Sequence, residues 1–304
     1  GIVRPNNNLN ATFAQQTPKP GNIAFISQSG ALGTAILDWA TNQNIGFSNF
    51  VSLGSMLDVD FGDLIDYFGS DPLTRSILMY VEGLKEAKRF MSAARHFART
   101  KPIIVVKSGK YEESAKAAAS HTGSLAGSDM VYETAFKRAG IIRVNEIADL
   151  FNAAEVLEMQ PLPRGPNIAI ITNAGGPGVM ATDSVIGKGG KLAKLSQKTL
   201  DKINRVLPPY WSKGNPIDLL GDASAERYSN VIDACLDDPN IDGLLIIYTP
   251  QGEANPADIA QSLVEIGKRK KAQKTILTSF IGYEKVQEAT RILIKNSIPT
   301  YSTP

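Results

Sequence analysis

The sequence has few of the residues that carry metal and redox chemistry. Its 304 residues include one cysteine, Cys235, and two histidines, His96 and His121. A single cysteine excludes an internal disulfide, so we expect a reducing, cytoplasmic setting and no metal site. Cys235 falls in a predicted helix, where a small buried hydrophobe is its expected role. His96 also falls within a predicted helix, among basic residues, and is expected to be structural or solvent-facing.

Excess charge and long apolar runs are also lacking. The net charge is +2, which predicts no basic face and therefore no nucleic-acid partner. No apolar run is long enough to cross a bilayer and the first residues, GIVRP, do not form a signal peptide, so we expect no membrane association. The chain does not begin with methionine, and we expect it to be a piece of a longer protein. Its composition, 43% hydrophobic and 20% charged, is that of a globular protein of about two domains.

Short apolar runs alternate with helical patterns along most of the chain. In the first half, strands are predicted at residues 22–26, 50–53, 77–81, 102–107 and 141–144, with helices at 31–42, 61–68, 84–99, 129–139 and 146–159. This alternation predicts an α/β fold, a parallel sheet with helices on both faces. The first 20 residues are rich in Asn, Gln, Thr and Pro, and are expected to form an extended connector.

The beginning of this pattern recurs in the second half. Residues 22–30, NIAFISQSG, align without a gap with residues 167–175, NIAIITNAG, and Gly33 then matches Gly178. An Asp-Pro pair before an apolar strand also recurs, at residues 71–80 and 238–247. Two repeated segments in the same order predict a duplicated α/β domain. We expect a connector at 1–20, a first domain at 21–160 and a second at 161–304.

Each copy has a small-residue turn between its first strand and first helix. Such turns let backbone N–H groups approach an anion, which the helix dipole also attracts. Neither turn is a dinucleotide or P-loop motif, so no tightly held nucleotide is indicated, and a purely structural tight turn remains the alternative for each. The candidate phosphate-binding residues are Ser27, Gln28, Ser29 and Gly30 in the first copy, and Asn173, Ala174, Gly175, Gly176 and Gly178 in the second.

His121 is the candidate catalytic residue. It lies in the sequence SHTGS, and a neutral imidazole can attack phosphorus near neutral pH. If the two turns faced each other, a phosphoryl group between them would meet two helix N-termini. Glu82, after the strand at 77–81, could fix the imidazole tautomer. The alternatives are a surface or loop-capping histidine and an exposed carboxylate at a helix start.

These motifs resemble those of the NDP-forming acyl-CoA synthetases, the superfamily that includes succinyl-CoA synthetase, and most closely the ADP-forming acetyl-CoA synthetases. Residues 119–128, ASHTGSLAGS, are similar to the phosphohistidine loop, and SQSG and NAGGPG are similar to the two turns that hold the phosphohistidine. The resemblance implies two tandem flavodoxin-like domains of the succinyl-CoA synthetase type. The first would be the ligase domain, with His121 phosphorylated and Glu82 paired with it.

The implied reaction interconverts acyl-CoA, ADP and phosphate with carboxylic acid, CoA and ATP through an acyl phosphate and phospho-His121. The CoA-binding domain and the ATP-grasp domain or subunit would lie outside the chain. CoA, ADP or ATP and Mg²⁺ would serve the complete, oligomeric enzyme, none would bind in this fragment, and the fragment alone would be inactive. Two alternatives remain, an acyl-CoA-sensing regulatory module of a protein acetyltransferase and a scaffold with vestigial turns. Residues 215–218, NPID, match another segment of the family, to which the resemblance assigns no role.

Overall fold

The chain folds into two compact units, Gly1–Glu158 and Met159–Pro304. A computed structural model describes residues 1–42, 45–111, 113–114, 128–252, 254–270 and 273–304. Each unit contains a largely parallel sheet with helices packed on it. This is the α/β architecture expected from the alternating pattern.

The first unit carries its helices between successive strands. Its strands are β1 (Ile2–Arg4), β2 (Leu9–Ala11), β3 (Pro20–Ser27), β4 (Phe47–Ser52), β5 (Ser76–Val81), β6 (Ile103–Lys107) and β7 (Ile142–Val144). Its helices are α1 (Gly30–Asn42), α2 (Phe61–Ser70), α3 (Ala87–Phe97), α4 (Asp129–Ala139) and α5 (Ile147–Met159), the last of which ends on the first residue of the second unit.

The order of strands in this sheet is β2-β1-β4-β3-β5-β6-β7. From β4 to β7 all pairs are parallel, with Ser27 opposite Tyr80 and Val81 opposite Lys107. The carboxyl ends of β3, β5 and β6 therefore lie at one edge of the sheet, where ligands bind in open α/β folds.

The interpretation of residues 1–20 as an extended connector was wrong for the first part of that segment. Strand β1 pairs antiparallel with β4, with Val3 opposite Phe50, and Val3 is fully buried. Strand β2 pairs in turn with β1, so the segment extends the sheet by two antiparallel strands. The physical reason is that Val3 fills the core beside Phe50, and one buried residue in a three-residue strand leaves no alternation to detect.

The second unit repeats the arrangement. Its strands are β8 (Asn167–Thr172), β9 (Lys191–Leu192), β10 (Ile217–Asp218), β11 (Gly243–Tyr248), β12 (Thr275–Phe280) and β13 (Thr300–Tyr301). Its helices are α6 (Gly175–Gly187), α7 (Gln197–Asn204), α8 (Ala225–Leu236), α9 (Pro256–Lys270) and α10 (Gln287–Lys295). The order is β10-β8-β11-β12-β13, with β9 also paired to β8. Because β4-β3-β5-β6-β7 follows the same order, the two copies share one topology, that of flavodoxin-like sheets.

Alternate strand residues supply the two faces of each core. In the first unit, Met79 and Val105 pack in one cluster with residues of α2, α3 and α4, while Leu78 and Ile104 pack in another with residues of α1 and α5. Helices thus cover both faces, which explains the unbroken apolar runs. Within the part of the chain that the structure describes, no helix is both long and apolar enough to span a membrane.

The thiol of Cys235 should resist alkylation in the folded protein. Cys235 is fully buried in α8, and burial raises its pKa to about 12. At pH 8 only about one molecule in 10,000 would carry the reactive thiolate. We expect no labelling by iodoacetamide at pH 8 until denaturant is added, followed by one label per chain. Rapid labelling without denaturant would contradict the buried structural role.

Candidate active site

The first candidate turn is closed by a serine hydroxyl. Ser27 ends β3, and its Oγ donates to the carbonyl of Ser29 at 2.7 Å and accepts from the N–H of Ser29 at 3.1 Å. The Oγ of Ser29 accepts in turn from Leu32 N–H at 3.3 Å and so caps α1. The N–H groups of Gly30 and Ala31, at the start of α1, have no acceptor within the helix, and both residues are exposed.

The second turn uses the same device. Thr172 ends β8, and its Oγ1 donates to the carbonyl of Ala174 at 2.8 Å and accepts from Ala174 N–H at 3.0 Å. Helix α6 begins at Gly175 and has no side-chain cap. Gly175 and Gly176 are exposed, and their N–H groups again lack an acceptor within the helix. The sequence repeat therefore corresponds to a repeated hydrogen-bonded turn.

Side-chain amides connect each turn to the neighbouring strand. Gln28 Oε1 accepts from the N–H groups of Glu82 at 2.7 Å and Gly83 at 3.0 Å, just after β5. Asn173 accepts from Thr249 N–H at 2.9 Å and donates to Thr249 O at 2.8 Å, just after β11. Gln28 Oε1 and both amide atoms of Asn173 are thus bonded to the backbone, and Gln28 fixes the position of Glu82.

At three positions of the turns, neither packing nor backbone conformation requires glycine. A Cβ on Gly30 would lie no nearer than 3.7 Å to any neighbour, Ser52 Oγ, and one on Gly175 no nearer than 3.8 Å, to Asp218 Oδ2. A Cβ on Gly176 would have nothing within 4 Å. None of the three has a positive φ. The absent side chains leave open space over the N–H groups, which suits the close approach of an anion.

Two further glycines of the same segments are explained by packing. A Cβ on Gly33 would lie 2.7 Å from Cζ of Phe50, and one on Gly178 would lie 3.0 Å from Cγ2 of Thr172. At these positions helices α1 and α6 pack closely against their sheets. Gly178, expected to bind phosphate, therefore has a sufficient structural role.

The two turns differ in the polar group beside them. The hydroxyl of Ser52 lies next to Gly30, at the end of β4, whereas the carboxyl of Asp218 lies next to Gly175, at the end of β10. The first turn should thus attract an anion more strongly than the second, since like charges repel.

The segment at residues 215–218, whose role the sequence left open, positions that carboxyl. Asn215 Oδ1 accepts from Ile170 N–H at 3.0 Å, and Nδ2 donates to the carbonyls of Ile168 at 2.8 Å and Ala193 at 3.0 Å. The side chain of Asn215 thus bridges β8 and the residue after β9, and a cis peptide bond to Pro216 follows it. The segment then enters β10, which ends at Asp218.

Glu82 is a buried carboxylate at the edge of the first sheet where β3, β5 and β6 end, which we call the ligand edge. It is 8% exposed, and its Oε2 has no hydrogen-bond partner among the described residues. Tyr80 contacts both Glu82 and Ser108, and burial is the main cause that raises the pKa of its hydroxyl. A buried carboxylate oxygen without a donor is costly, so a donor is expected to reach it in the working protein.

Lys107 is a residue that the sequence reasoning missed. It is the last residue of β6, opposite Val81, and is 1% exposed. Its Nζ lies 4.5 Å from the centroid of the Tyr132 ring and donates to the carbonyl of Ser108. The available signal was a lysine ending an apolar run and followed by Ser-Gly, which was interpreted only as the end of a strand.

His121 lies outside the described residues, as do the residues on either side of it. The chain reaches it from Ser108, after β6, and leaves towards Ser128, before α4. The other histidine, His96, lies in α3 with its ring against Phe97, which gives it a structural contact.

A cavity of about 560 Å³ opens beside the first turn. Phe13, Leu37 and Phe50 form part of its apolar lining, and Gly30 and Ser52 border it. An apolar group attached to an anion at Gly30 would have room there.

Two family models match the chain in succession. Residues 20–157 match a succinyl-CoA ligase like flavodoxin domain, and residues 168–304 match a Ligase-CoA domain. The alpha subunit of the ADP-forming acetate–CoA ligase II of Pyrococcus furiosus is 42% identical over all of this chain and 66% of its own length. The ADP-forming acetate–CoA ligase of Methanocaldococcus jannaschii is 45% identical over all of this chain and 43% of its own length.

A solved structure is similar throughout the chain. It is the dinucleotide-forming acetyl-coenzyme A synthetase 1 of Ca. Korarchaeum cryptofilum, in complex with phosphate and ADP, with a TM-score of 0.96 and 38% identity. The match covers 100% of this chain and 66% of that one. This chain therefore spans about two thirds of the P. furiosus subunit and of the solved chain.

Proposed function

We propose that this chain, which belongs to the NDP-forming acyl-CoA synthetase superfamily, is the phosphoryl-relay part of an ADP-forming acid–thiol ligase. The complete enzyme would interconvert acyl-CoA, ADP and phosphate with carboxylic acid, CoA and ATP, with His121 carrying the phosphoryl group. The observation that supports this most is Glu82, a buried carboxylate with an unpartnered oxygen. It is held by Gln28 beside a turn with open N–H groups.

The chain's own residues supply the following chemistry. The N–H groups of Gly30 and Ala31 would donate to phosphoryl oxygens of an acyl phosphate, and the acyl part would extend into the apolar cavity beside Gly30. One imidazole nitrogen of His121 attacks phosphorus, the N–P bond forms, and the P–O bond to the acyl group breaks. The acyl group leaves as a carboxylate with the electron pair. Glu82 would accept the other ring N–H and stabilise the positively charged ring.

The second turn would bind phosphoryl oxygens through Gly175 and Gly176 in the same way. The second turn repeats the hydroxyl and side-chain amide hydrogen bonds of the first turn, which supports this assignment. The carboxyl of Asp218 makes us expect that a dianion binds there more weakly than at Gly30.

Nucleotide, CoA and Mg²⁺ would be bound elsewhere in the complete, oligomeric enzyme, by a CoA-binding domain and an ATP-grasp domain or subunit. Among the described residues no group of three His, Cys, Asp or Glu side chains could hold a metal ion. The described residues therefore do not fit a metal site.

The alternative is an acyl-CoA-sensing module of a protein acetyltransferase. The relatives named above are ligases, and His121, Glu82 and both open turns are present in the sequence. A sensor needs no phosphoryl acceptor, so these residues favour the ligase.

The test is ATP formation by the complete protein together with its ATP-grasp partner. Supplied with acetyl-CoA, ADP and phosphate, the wild type should form ATP, and a His121→Ala variant should not. A folded complex that binds ADP and acetyl-CoA but forms no ATP would contradict the proposal and favour the sensor.

Replacing Gln28 should reduce activity by displacing Glu82. In Gln28→Leu the N–H groups of Glu82 and Gly83 lose their acceptor, which should lower the free energy of unfolding by about 1–3 kcal/mol. We expect phosphoryl transfer to fall about tenfold, since small misplacements of catalytic groups are costly. The control is Gln160→Leu, because Gln160 Oε1 accepts from Ile276 N–H at 2.9 Å in the second unit. If Gln160→Leu slowed the reaction as much as Gln28→Leu, loss of stability alone would explain the effect.

A further inference from the structure

Lys107 lies one strand away from Glu82 at the ligand edge of the first sheet. Lys107 ends β6, and Glu82 follows Val81, the residue opposite Lys107 on β5. Lys107 is the one lysine among the buried side chains of the part of the chain that the structure describes. A buried ammonium is retained only where a charge partner or a function compensates its desolvation.

The contacts of Lys107 do not neutralise it. Its Nζ has three donor hydrogens, and the described contacts are the Ser108 carbonyl and the face of Tyr132. Burial is the main cause that lowers the pKa of Lys107, and Asp129, the strongest opposing influence, raises it. Arg143 lowers it and Glu82 raises it.

Of the two carboxylates that raise the pKa of Lys107, Asp129 has the larger influence and Glu82 is the one without an ion pair among the described residues. Asp129 of α4 binds Arg143 at 2.6 Å, and Glu133 binds the same guanidinium at 3.0 Å. Glu82 has no ion pair within the described residues, and its Oε2 has no hydrogen-bond donor there. Two buried, opposite and incompletely satisfied charges thus flank the ends of adjacent strands. Such pairs are typical of functional sites.

We propose that Lys107 is a positioning residue for phosphoryl transfer, whose buried positive charge lies beside the end of β5 that carries Glu82 and whose ammonium anchors Ser108 at the start of the segment that leads to His121. This inference rests on the proposed function. The charge also favours the neutral form of any imidazole brought to Glu82, which is the form that attacks phosphorus.

Lys101 provides a matched control at the other end of the same strand. It precedes β6, and its Nζ donates to the carbonyls of Phe68 at 2.9 Å and Asp71 at 2.6 Å. Burial lowers the pKa of Lys101 as well, with Asp71 opposing the shift. Both lysines therefore bond to backbone carbonyls and are partly desolvated, but only Lys107 is at the ligand edge.

The experiment measures single-turnover phosphorylation by Mg-ATP from pH 5.5 to 9, using the complete protein with its ATP-grasp partner. The variants are Lys107→Met, Lys107→Gln, which can still donate to Ser108, and Lys101→Met. We expect both Lys107 variants to react about 100-fold more slowly. The acid limb of their pH–rate profile should move upward, because losing a positive charge favours protonation of the imidazole, and a protonated imidazole does not attack phosphorus. Lys101→Met should lower the Tm without changing the rate or the profile.

A folded Lys107→Gln variant with the rate and pH profile of the wild type would overturn the inference, while a labelled wild type would still support the relay. A wild type that takes no phosphoryl group would overturn both. If Lys107→Met does not fold, Lys107→Gln still decides the question. A Lys101→Met profile shifted like that of Lys107→Gln would also overturn the specific role of Lys107.

Discussion

The Glu82→Gln variant should form phosphohistidine about 1,000-fold more slowly than the wild type, by analogy with Asp-to-Asn changes in catalytic triads. The substitution keeps the shape of the side chain and leaves the backbone N–H of residue 82 bonded to Gln28. It removes the charge that would stabilise a protonated imidazole. Because the substitution also removes a negative charge that partly compensates buried Lys107, we expect the free energy of unfolding to fall by about 1–3 kcal/mol. Rapid quench-flow, followed by analysis of the acid-labile phosphate bound to the protein, measures the rate.

Glu155→Gln is the control for this variant. Glu155 is also 8% exposed and lies on α5 of the same unit. Its substitution should leave the rate of phosphorylation unchanged. If Glu82→Gln reacted at the wild-type rate, Glu82 would not be the carboxylate of the relay, and a structural role at the end of β5 would remain.

The Gly30→Val variant should bind phosphate and acyl phosphate roughly 30-fold more weakly without losing stability. The Cβ of the new side chain has room, since it would lie 3.7 Å from the nearest atom, Ser52 Oγ. It would cover the N–H groups at the start of α1, and losing their bonds to an anion should cost about 2 kcal/mol. Isothermal titration with phosphate and the KM for acyl phosphate measure the loss.

Gly33→Ala should show the opposite behaviour. Its methyl group would lie 2.7 Å from Phe50, which stacks on Phe25 with 5.3 Å between ring centroids. This overpacking should lower the free energy of unfolding by about 1–3 kcal/mol while phosphate affinity stays unchanged. Equal phosphate affinity in Gly30→Val and the wild type would contradict an anion site at this turn.

The repeat in the sequence predicted the main features of the fold because it records local structure. The apolar runs mark strands buried on both faces, and the small residues after residues 26 and 171 mark turns. The hydroxyl groups of Ser27 and Thr172 close both turns through bonds to residues two positions away, which are contacts that a local pattern can encode.

The sequence pattern could not predict contacts between residues that are far apart in the chain. Gln28 is 54 residues from Glu82, and nothing in its neighbourhood indicates that its amide holds the backbone there. The burial of Lys107 depends on the packing of Tyr132 from α4, and the pairing of β1 depends on β4, about 48 residues later. The sequence likewise does not distinguish the open space over Gly30 from the tight packing at Gly33, because both residues are glycine.

The most direct test of the central claim is the intact mass of the complete protein after incubation with Mg-ATP and its ATP-grasp partner, with and without acid treatment. The account predicts one added phosphoryl group that acid removes and that is absent from a folded His121→Ala variant. A label that persists in His121→Ala, or no label on a wild type that binds ATP, would contradict a phosphoryl relay through His121.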